Sequence, residues 1–215
     1  MQNITTRGIP KAGLPDGFVY IDELIPDCII DAKYAGTDNL FGRTIAGYNQ
    51  PLVVMTKEVA EGCIKAAEIF RKKGYLMKFF DSYRPQRAVD DFVKWGKDLQ
   101  DERRKPIHYP NEEKQSMFEK GYIDKLSGHT RGCAVDLTLV NMKTWQEIDA
   151  GSIFDFMDAR SNHGAAGLTK EQEDNRKLLM NVMCSCGFIP YQYEWWHYII
   201  QPEPYPETYF DFPVE

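Results

Sequence analysis

The sequence lacks the features that mark several broad classes of protein. No run of 18 apolar residues occurs, so no segment is expected to span a membrane. Residues 1–18 contain no apolar core of the kind that a secretory signal needs, which favours a cytoplasmic location. The net charge is −6, and Arg103-Arg104-Lys105 is too short a basic cluster to follow a phosphate backbone. We therefore expect neither a membrane nor nucleic acid as a partner.

Cysteine is scarce, with five residues in a chain of 215, and the number is odd. Four of the five lie in apolar surroundings, which predicts reduced, packed thiols of the kind found in cytosolic proteins. Cys184-Ser-Cys186 lacks the two-residue spacer and the second pair that cysteine-based metal sites use. We expect no functional role for this pair.

What the sequence does contain is typical of a globular protein. Hydrophobic residues make up 43% of the chain and aromatic residues 13%, which excludes disorder as its main state. Residues 1–17 are interrupted by five glycines and prolines, which predicts an irregular lead-in. No repeat or linker divides the rest, so we predict one domain over residues 18–215.

Apolar patterning predicts the elements of that domain. Strands are expected at 18–24, 28–34, 75–80, 135–139, 188–191 and 194–200. Helices are expected from Thr56 to about Lys73, after Pro85, between Asn111 and Gly121, and from Thr169 to Gly187. Thr56 is the expected N-cap of the first helix, and Thr169 forms a capping box with Gln172. The pattern favours an α+β fold in which helices flank a central antiparallel sheet.

The stretch from Ser127 to Asp136 packs a histidine, two glycines and an aspartate ahead of a strand-like run. Apolar residues alternate along 135–139, so Asp136 is expected on the face opposite to the core side chains. His129 could return beside Asp136 through Gly132, and both residue types are ordinary zinc ligands. On the local sequence alone, a surface hairpin with an incidental histidine is an equally open interpretation.

A second dense stretch is Tyr193-Glu194-Trp195-Trp196-His197-Tyr198. Its aromatic residues favour a strand, in which Glu194 and His197 would lie on opposite faces. Either Glu194 precedes the strand in a turn, or a bulge redirects one of the two side chains. We prefer the turn, because His197 could then bind a metal while Glu194 reaches a water molecule beside it. The alternative is a core histidine with an exposed glutamate.

The chain has only four histidines. No role is expected for His108, whereas His163 lies in a Ser-Asn-His-Gly loop and could support a site from behind. His129 and His197 remain, and together with Asp136 they make a three-ligand set. Three protein ligands with an open fourth position are typical of a catalytic zinc site.

A hydrolase also needs a base and a cation near the developing oxyanion. Glu194 is the natural base, because it could take a proton from the attacking water and pass it to the leaving amine. Arg84 follows a predicted strand directly and is restrained by Pro85, so it could stabilise the oxyanion. A surface ion pair is an equally open interpretation of Arg84.

Taken together, these motifs resemble the D-alanyl-D-alanine dipeptidases of the vancomycin-resistance type. Those are zinc enzymes related in fold to the D,D-carboxypeptidases and to the Hedgehog signalling domain. The family pattern S-x-H-x(6)-D corresponds to Ser127 through Asp136, and E-x-W-H corresponds to Glu194 through His197. The resemblance covers roughly residues 18–215. Further matches are Asp31-Ala-Lys-Tyr34, Tyr83-Arg84-Pro85, residues 154–158 and Tyr209-Phe-Asp-Phe-Pro213.

The resemblance implies a fold of the Hedgehog and D,D-peptidase type that holds one Zn²⁺ per chain. The implied zinc ligands are His129, Asp136 and His197. Glu194 would be the catalytic base and acid, and Arg84 would stabilise the transition state. The implied reaction is hydrolysis of free D-alanyl-D-alanine to two D-alanines.

The resemblance also implies that Tyr34, Ser127 and Asp155 contact the substrate. A free dipeptide carries an ammonium group and a carboxylate, so a small site can pair an acid such as Asp155 with the first and hydroxyl donors such as Ser127 with the second. Asp158 is an alternative to Asp155, although the phenylalanines on both sides of Asp155 favour the latter.

Two other functions compete with this interpretation. A peptidoglycan D,D-carboxypeptidase or endopeptidase would act outside the cytoplasm and would need an export signal. A zinc-stabilised binding domain without catalysis would need neither Glu194 nor Arg84. The sequence leaves open the oligomeric state and the physiological purpose, which could be antibiotic resistance, recycling of wall fragments or scavenging of D-alanine.

Overall fold

The computed structural model describes Thr6 and residues 8–215. The strands in that part of the chain are β1 (Phe18–Tyr20), β2 (Ile29–Ile30), β3 (Val54–Thr56), β4 (Tyr75–Asp81), β5 (Ala134–Asn141), β6 (Phe188–Pro190) and β7 (His197–Ile200). The α-helices are α1 (Ile21–Leu24), α2 (Lys57–Lys72), α3 (Gln86–Lys97), α4 (Lys105–His108), α5 (Lys114–Glu119) and α6 (Lys170–Ser185). Within the predicted lead-in, residues 8–17 form neither a helix nor a strand, and residues 1–5 and 7 lie outside the described residues.

The central sheet of the described chain has five strands in the order β2-β4-β5-β7-β6. Its neighbouring strands run antiparallel except β2, which lies parallel to β4 at one edge. β1 and β3 form a separate antiparallel pair. Helices α2 and α6 pack against each other and against strands of the central sheet. The predicted α+β domain with helices flanking an antiparallel sheet is confirmed, with one parallel strand added at the edge.

Helix α2 follows its sequence pattern closely. The apolar side chains predicted to share one face are all buried, at positions 59, 63, 66, 67 and 70. Gly74 has φ +87° and ends the helix in the left-handed conformation that glycine adopts most readily. Removing this apolar face from water is the main favourable contribution that the helix makes to folding.

Thr56 occupies the N-cap position of α2, but its side chain does not cap the helix. The buried hydroxyl donates instead to the carbonyl of Gly132, 2.9 Å away. The predicted cap is therefore wrong, because the acceptor that satisfies this hydroxyl comes from a distant part of the chain. The bond ties the start of α2 to the turn that precedes β5.

Two predicted strands are shorter than their apolar runs. The run at 18–24 pairs with β3 only as far as Tyr20, and α1 follows with Ile21 buried. The run at 28–34 contains the two residues of β2 and then a 3-10 turn at Lys33–Ala35. Apolar side chains are buried equally well by a short helix or a turn, so the runs mark burial and not strand length.

The last helix and the closing hairpin form as predicted, except that the final strand begins at His197 and not at Glu194. The Thr169 side chain accepts from the Gln172 N–H, and the Gln172 side chain accepts from the Thr169 N–H, which confirms the capping box of α6. Gly187 has φ +96° and leads into β6. β6 and β7 then pair as the predicted antiparallel hairpin.

Among the described residues, no helix is both long enough and apolar enough to cross a membrane. All five cysteines are free thiols. Cys63, Cys133 and Cys186 are buried, Cys28 is half-buried and Cys184 is exposed. This pattern agrees with the packed thiols predicted for four of the five.

Candidate active site

Asp136 and His197 are neighbours across the central sheet. Asp136 of β5 is the register partner of His197 of β7, and cross-strand partners point to the same face of an antiparallel pair. Asp136 Oδ1 lies 2.9 Å from His197 Nδ1. The side chain of Asp136 is 2% exposed and that of His197 is 11% exposed, so solvent is largely excluded from the pair. The pairing of β5 with β7 therefore places a buried carboxylate next to an imidazole.

The turn before β5 brings His129 to the same point. Gly132 has φ +72°, in the left-handed region. A Cβ on this residue would lie 2.7 Å from Thr56 Cγ2 and 2.9 Å from Phe18 Cε1, so a larger side chain would clash. The chain reverses through the glycine, and His129 Nε2 lies 3.3 Å from Asp136 Oδ2.

The three side chains form a triangle that fits a metal ion. His129 Nε2 and His197 Nδ1 are 3.1 Å apart, and their contacts with Asp136 measure 3.3 and 2.9 Å. Zinc–ligand bonds of about 2.0–2.1 Å in a tetrahedral site require ligand atoms roughly 3.3 Å apart. His129 Nδ1 donates to the Ser82 carbonyl at 2.7 Å, which turns the lone pair of Nε2 toward the triangle. Within the described part of the chain, this triangle is the one group of three residues that could hold a metal ion.

Glu194 lies in the turn before β7, which confirms the predicted position of this residue ahead of the strand. Its Oε2 is 3.8 Å from His197 Nδ1, beside the triangle. Burial raises the pKa of Glu194 to about 7, His197 and Arg84 oppose the rise, and Asp136 adds to it. A carboxyl group with a pKa near neutrality can both accept and donate a proton at physiological pH.

Arg84 is held rigidly next to the same triangle. Its Nε donates to Asp81 Oδ2 at 2.9 Å, and its Nη2 lies 3.7 Å from Asp136 Oδ2. The guanidinium stands 5.0 Å from the ring centre of Tyr34 and 4.7 Å from that of Phe92. The side chain is 12% exposed, which excludes the surface ion pair. Its fixed fork presents permanent positive charge to the site.

Tyr34 and Asp155 meet on the wall of the site. The Tyr34 hydroxyl donates to both carboxylate oxygens of Asp155, at 3.0 and 3.1 Å. Asp155 has φ +58°, a left-handed conformation that costs a residue with a Cβ about 1 kcal/mol. Burial raises the pKa of Asp155 well above its usual range, although Arg84 opposes the rise. A cation bound beside Asp155 would favour its charged form.

These side chains line a single cavity of about 230 Å³. Pockets for drug-sized ligands are usually larger than about 300 Å³, so this one suits a ligand of dipeptide size. Its walls include every site residue that the sequence singles out, namely Tyr34, Arg84, Ser127, His129, Asp136, Asp155, Glu194 and His197.

Comparison with known proteins agrees with this arrangement. The profile of the family described as Peptidase_M15, D-ala-D-ala dipeptidase, matches residues 15–215. The chain belongs to this family. A relative from Enterococcus faecium, named D-alanyl-D-alanine dipeptidase, is 43% identical over 93% of this chain and 98% of its own. A relative of the same name from Streptomyces coelicolor is 42% identical over 92% of this chain and 98% of its own.

Two more distant proteins also match. A D-alanyl-D-alanine dipeptidase from Escherichia coli is 29% identical over 85% of this chain and 84% of its own. The solved structure of the LdcB LD-carboxypeptidase, described in terms of peptidoglycan recognition, covers 91% of this chain and 72% of its own. That likeness has 19% identity and a TM-score of 0.44, which is too distant to bear on function.

Two residues considered from the sequence lie apart from the cavity of this peptidase-family chain. His163 stands on the other side of β7, with its ring centre 6.3 Å from that of Tyr198. Asp158 accepts the N–H of Arg160 and caps a 3-10 turn. These positions favour Asp155 over Asp158 as the acid that faces a ligand.

Two supporting residues were missed by the sequence reasoning. Asp81 is 2% exposed and accepts from Arg84 and from the Tyr48 hydroxyl, at 2.9 and 2.7 Å. Its place at the end of a strand, three residues before Arg84, was an available signal. His108 lies 3.1 Å from the carbonyl of Asp155, 47 residues away in sequence, and no local pattern points to that contact.

Proposed function

We propose that this chain is a zinc dipeptidase that hydrolyses free D-alanyl-D-alanine to two molecules of D-alanine. The proposal depends above all on the triangle of His129, Asp136 and His197, which would hold one Zn²⁺ per chain. Membership of the Peptidase_M15 family, and relatives named D-alanyl-D-alanine dipeptidase, support the choice of substrate. Imidazole and carboxylate donors in this number suit zinc with an open fourth position.

Glu194 is the proton carrier in this proposal. Zinc bound at the triangle would act as a Lewis acid: it would polarise the peptide carbonyl and make the attacking water more acidic. Glu194 accepts the proton that the water loses and delivers it to the leaving amine. Its position 3.8 Å from His197, and its pKa of about 7, support both steps. A cation at the triangle would lower that pKa and favour the accepting form before attack.

Arg84 stabilises the negative charge that develops on the carbonyl oxygen. Asp81 accepts the hydrogen bond from Nε, and the N–H groups at the end of the guanidinium can donate to a ligand. The rings of Tyr34 and Phe92 keep the guanidinium in place, so little reorganisation is needed as the charge forms. A fixed donor of this kind usually contributes about 10²- to 10³-fold to the rate.

The two ends of the substrate meet complementary groups. Asp155, oriented by the Tyr34 hydroxyl, pairs with the ammonium group, whose charge favours the ionised carboxylate. Ser127 lines the same cavity and is half-buried, so its hydroxyl can donate to the substrate carboxylate. A longer peptide would need space beyond Asp155, which is 4% exposed at the cavity wall. This argues against a peptidoglycan D,D-carboxypeptidase or endopeptidase.

A substrate comparison tests the proposal. The purified protein is assayed with D-Ala-D-Ala, L-Ala-L-Ala and N-acetyl-D-Ala-D-Ala, after chelation and after zinc is restored. We expect metal-dependent turnover of the free D,D-dipeptide and a loss of at least about tenfold on acetylation, because Asp155 then faces no cation.

The controls separate the parts of the proposal. Metal content is measured in each sample, and full activity in metal-free protein would refute the role of the triangle. Unchanged turnover of the acetylated dipeptide would refute the pairing of Asp155 with the ammonium group. Metal binding without turnover of any of the three compounds would favour a zinc-stabilised binding domain.

A further inference from the structure

His108 lies directly behind Asp155. Its Nδ1 is 3.1 Å from the Asp155 carbonyl oxygen, and its own carbonyl accepts the N–H of Met157 at 2.7 Å. His108 is the last residue of α4 and is 4% exposed. One buried residue therefore makes hydrogen bonds both to the backbone of Asp155 and to the residue two positions after it.

Arg104 determines which nitrogen of His108 carries the proton. Arg104 Nη2 lies 3.1 Å from His108 Nε2. A guanidinium group only donates, so Nε2 accepts and the ring proton resides on Nδ1. Nδ1–H therefore donates to the Asp155 carbonyl. Burial lowers the pKa of His108 to about 4, helped by the charge of Arg104, so the ring stays neutral in this tautomer.

Arg104 is anchored in turn by the loop that follows Tyr34. Its Nε donates to the Asn39 carbonyl at 2.9 Å, and its Nη2 donates to Asp38 at 3.0 Å. The Asn39 side chain is itself bonded within that loop, to three carbonyls and to two backbone N–H groups. A continuous set of hydrogen bonds thus joins this loop to Asp155 through Arg104 and His108.

Asp155 needs such support. Its φ of +58° lies in a region that residues with a Cβ adopt mainly where the surroundings impose it, although aspartate tolerates it better than most. The carbonyl and the side chain of one residue share a Cα, so a fixed carbonyl limits the directions available to the carboxylate. In the observed direction the carboxylate accepts from the Tyr34 hydroxyl.

We propose that His108 is a positioning residue, which holds Asp155 in its left-handed conformation so that the carboxylate faces the ammonium group of the dipeptide. This inference rests on the proposed function, in which Asp155 binds that group. His108 touches neither the triangle nor the cavity, so it contributes to substrate affinity and not to bond cleavage. Its loss is therefore expressed in KM more than in kcat.

Three substitutions of one residue test the proposal. His108→Asn keeps an N–H donor near the position of Nδ1, His108→Gln places its amide near the position of Nε2, and His108→Phe keeps a ring without either group. With D-Ala-D-Ala we expect the Gln and Phe variants to raise KM about tenfold, with kcat within about threefold of wild type. The Asn variant should remain close to wild type. In an Asp155→Asn background, His108→Phe should add no further rise in KM.

Unchanged KM in both the Gln and Phe variants, or equal impairment of the Asn and Gln variants, would overturn the proposal. So would a full additional loss in the Asp155→Asn background. Crystal structures of the wild type and of His108→Gln report on His108 without any assay. An Asp155 φ that stays near +58° in the variant overturns the positioning role even if catalysis is as proposed. A changed φ supports that role even if the wild type cleaves no dipeptide.

Discussion

Acidic side chains crowd around the site, and their surroundings give them different chemistry. Burial alone would raise the pKa of Asp136, but the imidazoles of His129 and His197 lower it well below its usual range. Burial raises the pKa of Asp155 and brings that of Glu194 to about 7. The carboxylate between two imidazoles is thus suited to bind a metal, and the others are suited to respond to a cation or a proton.

Replacing Glu194 with glutamine should separate metal binding from turnover. Glutamine keeps the size of the side chain but cannot accept a proton, so we expect kcat to fall by about 10²- to 10⁴-fold. Zinc content should stay near that of the wild type, because Glu194 is not part of the ligand triangle. The measurement is kcat for D-Ala-D-Ala together with metal analysis of the same sample. A kcat within threefold of wild type would remove Glu194 as the base.

For individual residues, the sequence was most informative where functional residues are close together along the chain. His129 with Asp136, and Glu194 with His197, lie within eight residues of each other, so turn and strand rules could relate them. Asp81 could have been found by the same reasoning. The role of His108 could not, because it depends on a contact made by folding.

Among the elements, the turn before β5 is the one on which the site depends most. Gly132 reverses the chain between two predicted metal ligands, and its carbonyl accepts the Thr56 hydroxyl. Phe18 of β1 packs against the same glycine. A short strand and the start of a helix, both far away in sequence, therefore hold the turn in shape.

Substituting Gly132 with alanine should lower the free energy of unfolding by more than the backbone strain alone would. The φ of +72° disfavours alanine by about 1 kcal/mol, and the contacts with Thr56 and Phe18 add about 1–3 kcal/mol of overpacking. Gly164→Ala is a matched control, because Gly164 has φ +75° and open space within 4 Å. Urea unfolding should show a larger loss of unfolding free energy for Gly132→Ala, with weaker zinc binding. Equal losses in the two variants would contradict this account.

Element positions were predictable where a residue's neighbours in the chain decide its conformation. The apolar face of α2 and the capping box of α6 are such cases. Thr56 is not such a case, because its hydroxyl donates to the distant carbonyl of Gly132. Nor is the run at 18–24, because the length of its strand depends on pairing with β3. The parallel pairing of β2 with β4 likewise has no local signal.

In the whole molecule, the site collects side chains from segments spread between Tyr34 and His197. β4, β5 and β7 lie side by side in the sheet, and most of these side chains lie on the three strands or in the segments directly before or after them. The buried side chains on the other face, packed under α2 and α6, keep these strands in register. Global stability and the geometry of the site are therefore linked.

The protein should lose stability in acid through two imidazoles, that of the buried His108 and that of the half-buried His163. Burial lowers the pKa of His108 and of His163 to about 4, against 6.5 for an unperturbed imidazole. Below pH 6.5 the unfolded chain binds protons that the fold excludes. The stability contributed by each neutral ring is therefore complete above pH 6.5 and is lost as the pH falls to about 4.

Urea unfolding of the wild type and of His163→Asn between pH 7 and 4 measures this effect. The variant should lose less stability below pH 6.5, by less than about 1.4 kcal/mol per pH unit, because solvent partly screens the half-buried ring of His163. Carboxyl groups with raised pKa, such as Glu194, act in the opposite sense, but they are common to both proteins and cancel in the difference. Stability profiles of His163→Asn and of His108→Asn that both run parallel to the profile of the wild type would contradict the prediction.

The sequence by itself determined the α+β class and the apolar faces of the helices, and it pointed to the family and to three candidate metal ligands. These follow from spacing and residue type over a few positions, where the geometry of turns, strands and helix ends leaves little choice. Only the tertiary structure decided that His129 and His197, 68 residues apart, lie 3.1 Å from each other, and that Asp81 and His108 hold the side chains that face the cavity. Contacts over such separations depend on how the sheet and helices pack together, which no short stretch of sequence encodes.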